Sequence, residues 1–126
     1  MPSRIIDNES MPAPLGPYSH AVAASGELVF FSGQAGIDAA TGDVPADFEP
    51  QARNAFENLS RVVAAAGLDM ANVVKTTVYL ADASQFSVLN TLFEEYFPTS
   101  PPTRATPIVQ LPKGLLISIE ALAVRP

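Results

Sequence analysis

Between Asp47 and Ala66 the apolar side chains Phe48, Ala52, Ala55, Phe56, Leu59, Val62, Val63 and Ala66 recur at intervals of three and four, and Gly67 follows directly. That spacing gathers them on one face of a helix, and the glycine supplies the left-handed residue on which helices commonly end. The segment Val73-Val74-Lys75-Thr76-Thr77-Val78-Tyr79-Leu80 begins a few residues later and is rich in β-branched side chains, the mark of a strand. Upstream, Leu28–Ser32 reads as another strand. Strand, helix and strand joined by so little chain predict a right-handed crossover between parallel strands. The remaining residues must therefore be arranged around a sheet with a helix laid on it.

A second helix is predicted after Asp82-Ala83-Ser84-Gln85, which has the spacing of a capping box. Phe86, Leu89, Phe93, Tyr96 and Phe97 line one of its faces, Asn90 falls off that face, and Pro98 closes it. Short strands are expected around Arg4–Ile6 and at Ala21–Ala24, the latter forming a hairpin with Leu28–Ser32 across Ser25-Gly26-Glu27. A final hairpin is expected to return through Leu111-Pro112-Lys113-Gly114. The order β-β-β-α-β-α-β-β gives an α+β protein, a mixed sheet with two helices packed on one face. At 126 residues, 48% of them apolar, residues 1–126 can build one core and are too few for two domains. Val74, Thr76, Val78, Ile117 and Ile119 are expected on the sheet face that no helix covers. Self-association into a closed trimer or dimer is the economical cover, and it creates clefts between subunits.

Charge and residue usage narrow the function. Thirteen acidic against seven basic residues give a net charge of -6, which opposes binding by phosphate neutralisation, so neither nucleic acid nor an anionic membrane is an expected partner. The chain has no cysteine, excluding disulfides, thiolate catalysis and thiolate metal sites. His20 is the single histidine and has no second ligand near it, so no metal site is expected. No long apolar stretch opens the chain, and no run approaches the about 18 apolar residues of a membrane span. A soluble, cytoplasmic protein is expected. Six of the twelve prolines fall in two clusters, Pro12, Pro14 and Pro17 and then Pro98, Pro101 and Pro102, where they read as shaped loops.

Two charged residues stand out against their surroundings. Arg104 follows Pro101-Pro102-Thr103, so stiff backbone presents a planar five-donor fork of the kind that fits a carboxylate. Sixteen residues on, Glu120 is the one ionisable group in the apolar run from Leu115 to Val124. A carboxyl so placed has a partner or a task. A hairpin turning at Pro112-Lys113 would set Arg104 opposite a residue between Glu120 and Leu122, with strand parity deciding whether they share a face. A structural Arg-Glu pair is the plain alternative. Gly16-Pro17-Tyr18-Ser19-His20 is a rigid loop able to close over a ligand, or else an ordinary proline-anchored turn. Ser32-Gly33 ends a strand where backbone can approach a small ligand closely, and Asn90 either reaches a cleft or is solvated.

Taken together, Gly16-Pro17-Tyr18-Ser19, Phe31-Ser32-Gly33-Gln34, Val74-Lys75-Thr76-Thr77-Val78, Asn90, Pro102-Thr103-Arg104, Leu111-Pro112-Lys113 and Ile119-Glu120-Ala121-Leu122-Ala123 resemble the Rid family (reactive intermediate deaminase, also called YjgF or L-PSP). The match runs in order along nearly the whole chain. It implies a chorismate-mutase-like fold and a homotrimer whose sheets pack into a central barrel, with ligand clefts between subunits. It also implies hydrolysis of 2-imino acids or their enamine tautomers, such as 2-aminoacrylate, 2-iminopropanoate and 2-iminobutanoate, to 2-oxo acids and ammonia. By the same resemblance Arg104 grips the substrate carboxylate and Glu120 orients or activates water. Tyr18 borders the cleft, Gly33 offers a backbone contact near the imine, and Ser32 and Asn90 line the site. Thr106 lends its backbone N–H at a position where many members carry cysteine, and His20 stands where glutamine is frequent.

An imine hydrolyses in water unaided, so orienting it and one water suffices, with no cofactor needed. A protein that only binds 2-oxo acids, a deaminase of a larger enamine such as 2-aminomuconate, and RNA cleavage are the competing functions. The acidic balance and single histidine argue against the last.

Overall fold

Six strands and two helices appear in the computed structural model, which describes residues 3–126, with side chains from Ile5 onward. In chain order they are β1 (Ser3–Ile6), β2 (Ala21–Ala24), β3 (Glu27–Ala35), α1 (Phe48–Ala65), β4 (Val73–Leu80), α2 (Phe86–Tyr96), β5 (Thr103–Ala105) and β6 (Ile117–Arg125). The main sheet runs β3-β6-β4-β5, while β1 and β2 form a separate antiparallel pair. Both β3 and β4 are antiparallel to β6, so they are parallel to each other, as the strand-helix-strand pattern predicts, with β6 inserted between them.

Both helices form where the apolar spacing puts them. Asp47 precedes α1, and Gly67, at φ 76°, follows its end with its N–H on the carbonyl of Ala64. Asp82 accepts from the N–H of Ser84 and starts a single 3-10 turn that leads into α2. Both helices lie on one sheet face. Phe56, Leu59 and Val63 of α1 and Leu89, Leu92 and Phe93 of α2 pack over Val78, Leu80, Ile117 and Ile119 in one core. Each fully buried side chain of this size contributes about 1.5–3 kcal/mol relative to exposure. Among the described residues no helix is long and apolar enough to cross a membrane.

Three expectations are overturned. The hairpin of Ala21–Ala24 with Leu28–Ser32 does not form, because β2 pairs with β1 and Gly26, at φ 135°, turns the chain past Arg125 so that β3 enters beside β6. The final hairpin does not form either. Residues 103–109 run parallel to β4, with the N–H of Leu80 on the carbonyl of Pro107 and that of Val109 on the carbonyl of Leu80. The turn at Pro112-Lys113-Gly114 then carries the chain over the end of β4, where Ala81 donates to Leu116, and β6 returns on the far side. Finally, Thr76, Val78, Ile117 and Ile119 point toward the helices. The uncovered face carries Leu28, Phe30, Lys75, Thr77, Tyr79, Glu120 and Leu122 instead, with Leu28 and Phe30 56% and 74% exposed.

Gln51 fastens α1 to the chain around it. It is buried, its side-chain amide donates to the carbonyl of Pro45 at 2.7 Å, and its oxygen accepts from the N–H of Leu116 at 2.8 Å. The backbone of Gly36 comes so close that a Cβ there would lie 2.0 Å from the carbonyl oxygen of Gln51. Backbone cannot yield as a side chain can. Gly36→Ala is therefore expected to destabilise the fold by about 3 kcal/mol, the upper range for overpacking. At fixed protein concentration this lowers the urea midpoint by about 1.5 M with the slope unchanged.

Candidate active site

The entry to β5 is clamped from two sides. Ser19 donates its N–H to the carbonyl of Pro102 at 3.1 Å and its hydroxyl to that of Pro101 at 2.5 Å, so the Gly16–His20 loop is held against the residues leading to Arg104. From β4, the hydroxyl of Thr76 donates to the carbonyl of Thr103 at 2.9 Å. The loop itself is closed by the N–H of Tyr18 on the carbonyl of Gly16 and by the N–H of Leu15 on the Tyr18 hydroxyl.

This framework delivers the Arg104 guanidinium into an aromatic chamber. Its central carbon lies 5.1 Å from the ring centroids of Tyr18 and Phe86 and 5.0 Å from that of Phe93. Nε, Nη1 and Nη2 are all buried without a hydrogen-bond partner, and so is Oδ1 of Asn90. The two groups flank one spot: a Cβ on Gly16 would lie 2.7 Å from Asn90 Oδ1 and 2.8 Å from Arg104 Nη2. Only a glycine at 16 lets the loop backbone pack this closely against the fork. Burial lowers the pKa of Arg104 below its ordinary value, partly offset by Tyr18. Cation-π contacts return about 0.5–2 kcal/mol each, but five unpaired donors on a buried cation leave a deficit of several kcal/mol. An anion would remove it, and a planar fork suits a carboxylate.

Glu120 stands elsewhere. It lines an open groove of about 400 Å3 with Phe30, Phe31, Ser32, Lys75 and Leu122. The hydroxyl of Tyr79 donates to its Oε1 at 2.7 Å. Beside the groove the β3–β6 register shifts between Phe31 and Gln34, a bulge that takes Ser32 and Gly33 out of the ladder. The expected strand exit at Gly33 is thus a bulge within a longer strand. Gln34 Nε2 donates to the Ser32 carbonyl at 3.0 Å, and a Cβ on Gly33 would meet the Ser118 hydroxyl at 2.5 Å.

Arg104 pairs in register with Thr76 and Glu120 with Thr77. Successive residues of β4 point to opposite sheet faces, so the two charged groups lie on opposite faces. They form no ion pair, and the plain structural-pair alternative does not hold. The candidates divide accordingly: Tyr18 and Asn90 gather at Arg104, Ser32 and Gly33 at Glu120. Asn90 is half-buried, with its Oδ1 shielded from solvent. It shares a stripe with Phe86 and Phe93, at spacings of four and three, so it belongs to the buried face of α2 rather than off it. Thr106 sits half-buried just past β5, and exposed His20 holds the carbonyl of Pro12 through Nε2 at 2.6 Å. No group of metal-ligating side chains occurs among the described residues. Phe86 and Phe93 as walls of the chamber, and Lys75 and Tyr79 beside Glu120, were not anticipated as site residues. The shared helical stripe was the available signal for the two phenylalanines.

The profile of the family described as Endoribonuclease L-PSP matches residues 8–125. The chain belongs to this family. Among L-PSP relatives, a goat (Capra hircus) protein named 2-iminobutanoate/2-iminopropanoate deaminase is 44% identical over 124 residues, covering 97% of this chain and 90% of its own length. A RutC family protein of Haemophilus influenzae is 42% identical over 130 residues, 99% of either chain. The solved structure of E. coli TdcF with bound serine superposes with a TM-score of 0.76 at 37% identity, over 98% of this chain and 99% of that one. The L-PSP assignment agrees with the mixed sheet and its two helices.

Proposed function

We propose that the protein hydrolyses reactive 2-imino acids and their enamine tautomers to 2-oxo acids and ammonia. One observation carries the reading: the buried Arg104 fork has no partner of its own and is shaped for a carboxylate. The deaminase name of the goat relative supports the chemistry. The serine bound to TdcF, itself a small molecule with a carboxylate, supports the ligand class.

In this reading Arg104 takes the substrate carboxylate in a bidentate contact, with Tyr18 and Asn90 beside it. Glu120 accepts a proton from water as the water oxygen adds to C2 of the iminium, giving a carbinolamine. The proton then passes to nitrogen, the C2–N bond breaks as the carbinolamine hydroxyl gives its proton back to Glu120, and ammonia leaves as C2 becomes the 2-oxo carbon. Because Arg104 and Glu120 occupy opposite faces of one sheet, one substrate meets both when copies assemble, one chain contributing the arginine and its neighbour the glutamate. A homotrimer with three such clefts satisfies this, and exposed Leu28 and Phe30 offer apolar area for it. The Thr106 N–H and the bulge at Ser32-Gly33 would complete the polar lining.

The test generates 2-iminopropanoate or 2-iminobutanoate with an amino-acid oxidase and traps the remaining imine with semicarbazide. Addition of the protein is expected to accelerate imine loss. No acceleration for these substrates, with 2-oxobutanoate still bound, would replace the reading by carboxylate binding alone, and turnover of 2-aminomuconate only would point to the larger enamine. A net charge of -6 lends no support to RNA as the substrate.

A further inference from the structure

On the sheet face turned away from the helices, Glu120 stands opposite Thr77 and Tyr79 opposite Ser118, which makes Tyr79 and Glu120 diagonal neighbours within aromatic reach. The Tyr79 hydroxyl closes that diagonal by donating to Oε1 at 2.7 Å. It is the one side chain among the described residues seen to hold this carboxylate. Lys75 lines the same groove, yet its ammonium donates to the Thr77 hydroxyl at 3.2 Å and forms no ion pair with Glu120.

A glutamate on a sheet surface has three side-chain torsions, the last of them broad, so its carboxylate samples many positions when nothing restrains it. A group that must aim one water at one carbon loses rate in proportion to that freedom. Tyrosine is a suitable restraint, because its ring has only two torsions and is half-buried here on the strand adjoining that of Glu120. We propose that Tyr79 is a positioning residue for Glu120, fixing Oε1 so that Oε2 is the oxygen presented to the attacking water. The hydrogen bond to Glu120, followed by partial burial, raises the phenol's pKa, so the hydroxyl keeps its proton and stays a donor at neutral pH. The assignment rests on the deaminase reading above and deepens it.

The experiment compares steady-state kinetics on 2-iminobutanoate for the parent, Tyr79→Phe, Glu120→Gln and the double variant, with thermal unfolding of each. Loss of one positioning hydrogen bond is expected to lower kcat about five- to tenfold with KM within about twofold, since the ring and Arg104 are untouched. The melting temperature stays within about 2 °C. In the Glu120→Gln background the second substitution is expected to add nothing, because the two groups act as one unit. An active parent with unimpaired Tyr79→Phe, a lower melting temperature with unchanged kcat, or an equal kcat loss in the Glu120→Gln background would each overturn this assignment and leave the deaminase reading standing. A parent inactive on imino acids would overturn both.

Discussion

Arg104→Met is expected to abolish imine hydrolysis while leaving the unliganded protein at least as stable as its parent. The two effects have one cause. Nε, Nη1 and Nη2 are buried with no acceptor, and the three rings around the guanidinium compensate only part of its lost hydration. Methionine keeps most of the side-chain volume, removes the charge and packs favourably against aromatic edges. Stability is expected to rise by about 1 kcal/mol, or about 3–5 °C in melting temperature for a chain of this size. Against the carboxylate, the same change removes a bidentate charge-assisted contact, and kcat/KM is expected to fall about a thousandfold. Arg104→Lys should restore little, because an ammonium is a point charge without the planar fork.

A binding measurement separates this account from a purely structural arginine. Adding 2-oxobutanoate, the product, at about a hundred times its dissociation constant should stabilise the parent by about 2.7 kcal/mol and leave the methionine variant unmoved. If Arg104→Met instead unfolds at a much lower temperature, the guanidinium has a structural partner and the carboxylate reading loses its main support.

Much of the architecture was written in local patterns. The three-and-four spacing from Phe48 to Val63 located α1, and the run from Val73 to Leu80 located β4, because these signals need no partner to be read. Pairing is different. β5 has only three residues, and nothing within them says that they lie parallel to β4 rather than against β6. With that pairing unknown, the insertion of β4 between Arg104 and Glu120 was invisible, and so was their separation onto opposite faces. The alternation in β4 and β6 did divide the side chains into two sets. Thr76, Val78, Ile117 and Ile119 are the more apolar set, and the helices bring apolar faces that must be buried, so this set belongs beneath them. The chamber around Arg104 draws Tyr18 from one loop and Phe86, Asn90 and Phe93 from α2, a convergence that only tertiary structure reveals.

Glu120→Gln is expected to lower kcat about a hundredfold, the range for removing a positioned proton acceptor, with KM little changed because Arg104 still holds the carboxylate. The amide oxygen can still accept from Tyr79, so the substitution removes basicity and keeps the position, which distinguishes it from Tyr79→Phe. Unchanged kcat would mean that water is activated without this carboxylate. The opposite-face geometry adds a sharper test. Arg104→Met and Glu120→Gln chains, each with about a hundredth of the parent's activity or less, are co-expressed so that they assemble together. If every cleft takes its arginine from one chain and its glutamate from the next, random assembly gives about a quarter of the clefts both intact groups, and activity should return to about a quarter of the parent's. If each chain carried a complete site of its own, mixing would restore nothing. Recovery of activity would therefore show that the two halves of the site meet across a subunit boundary, the arrangement the proposed function needs if groups on opposite faces of one sheet are to serve one substrate.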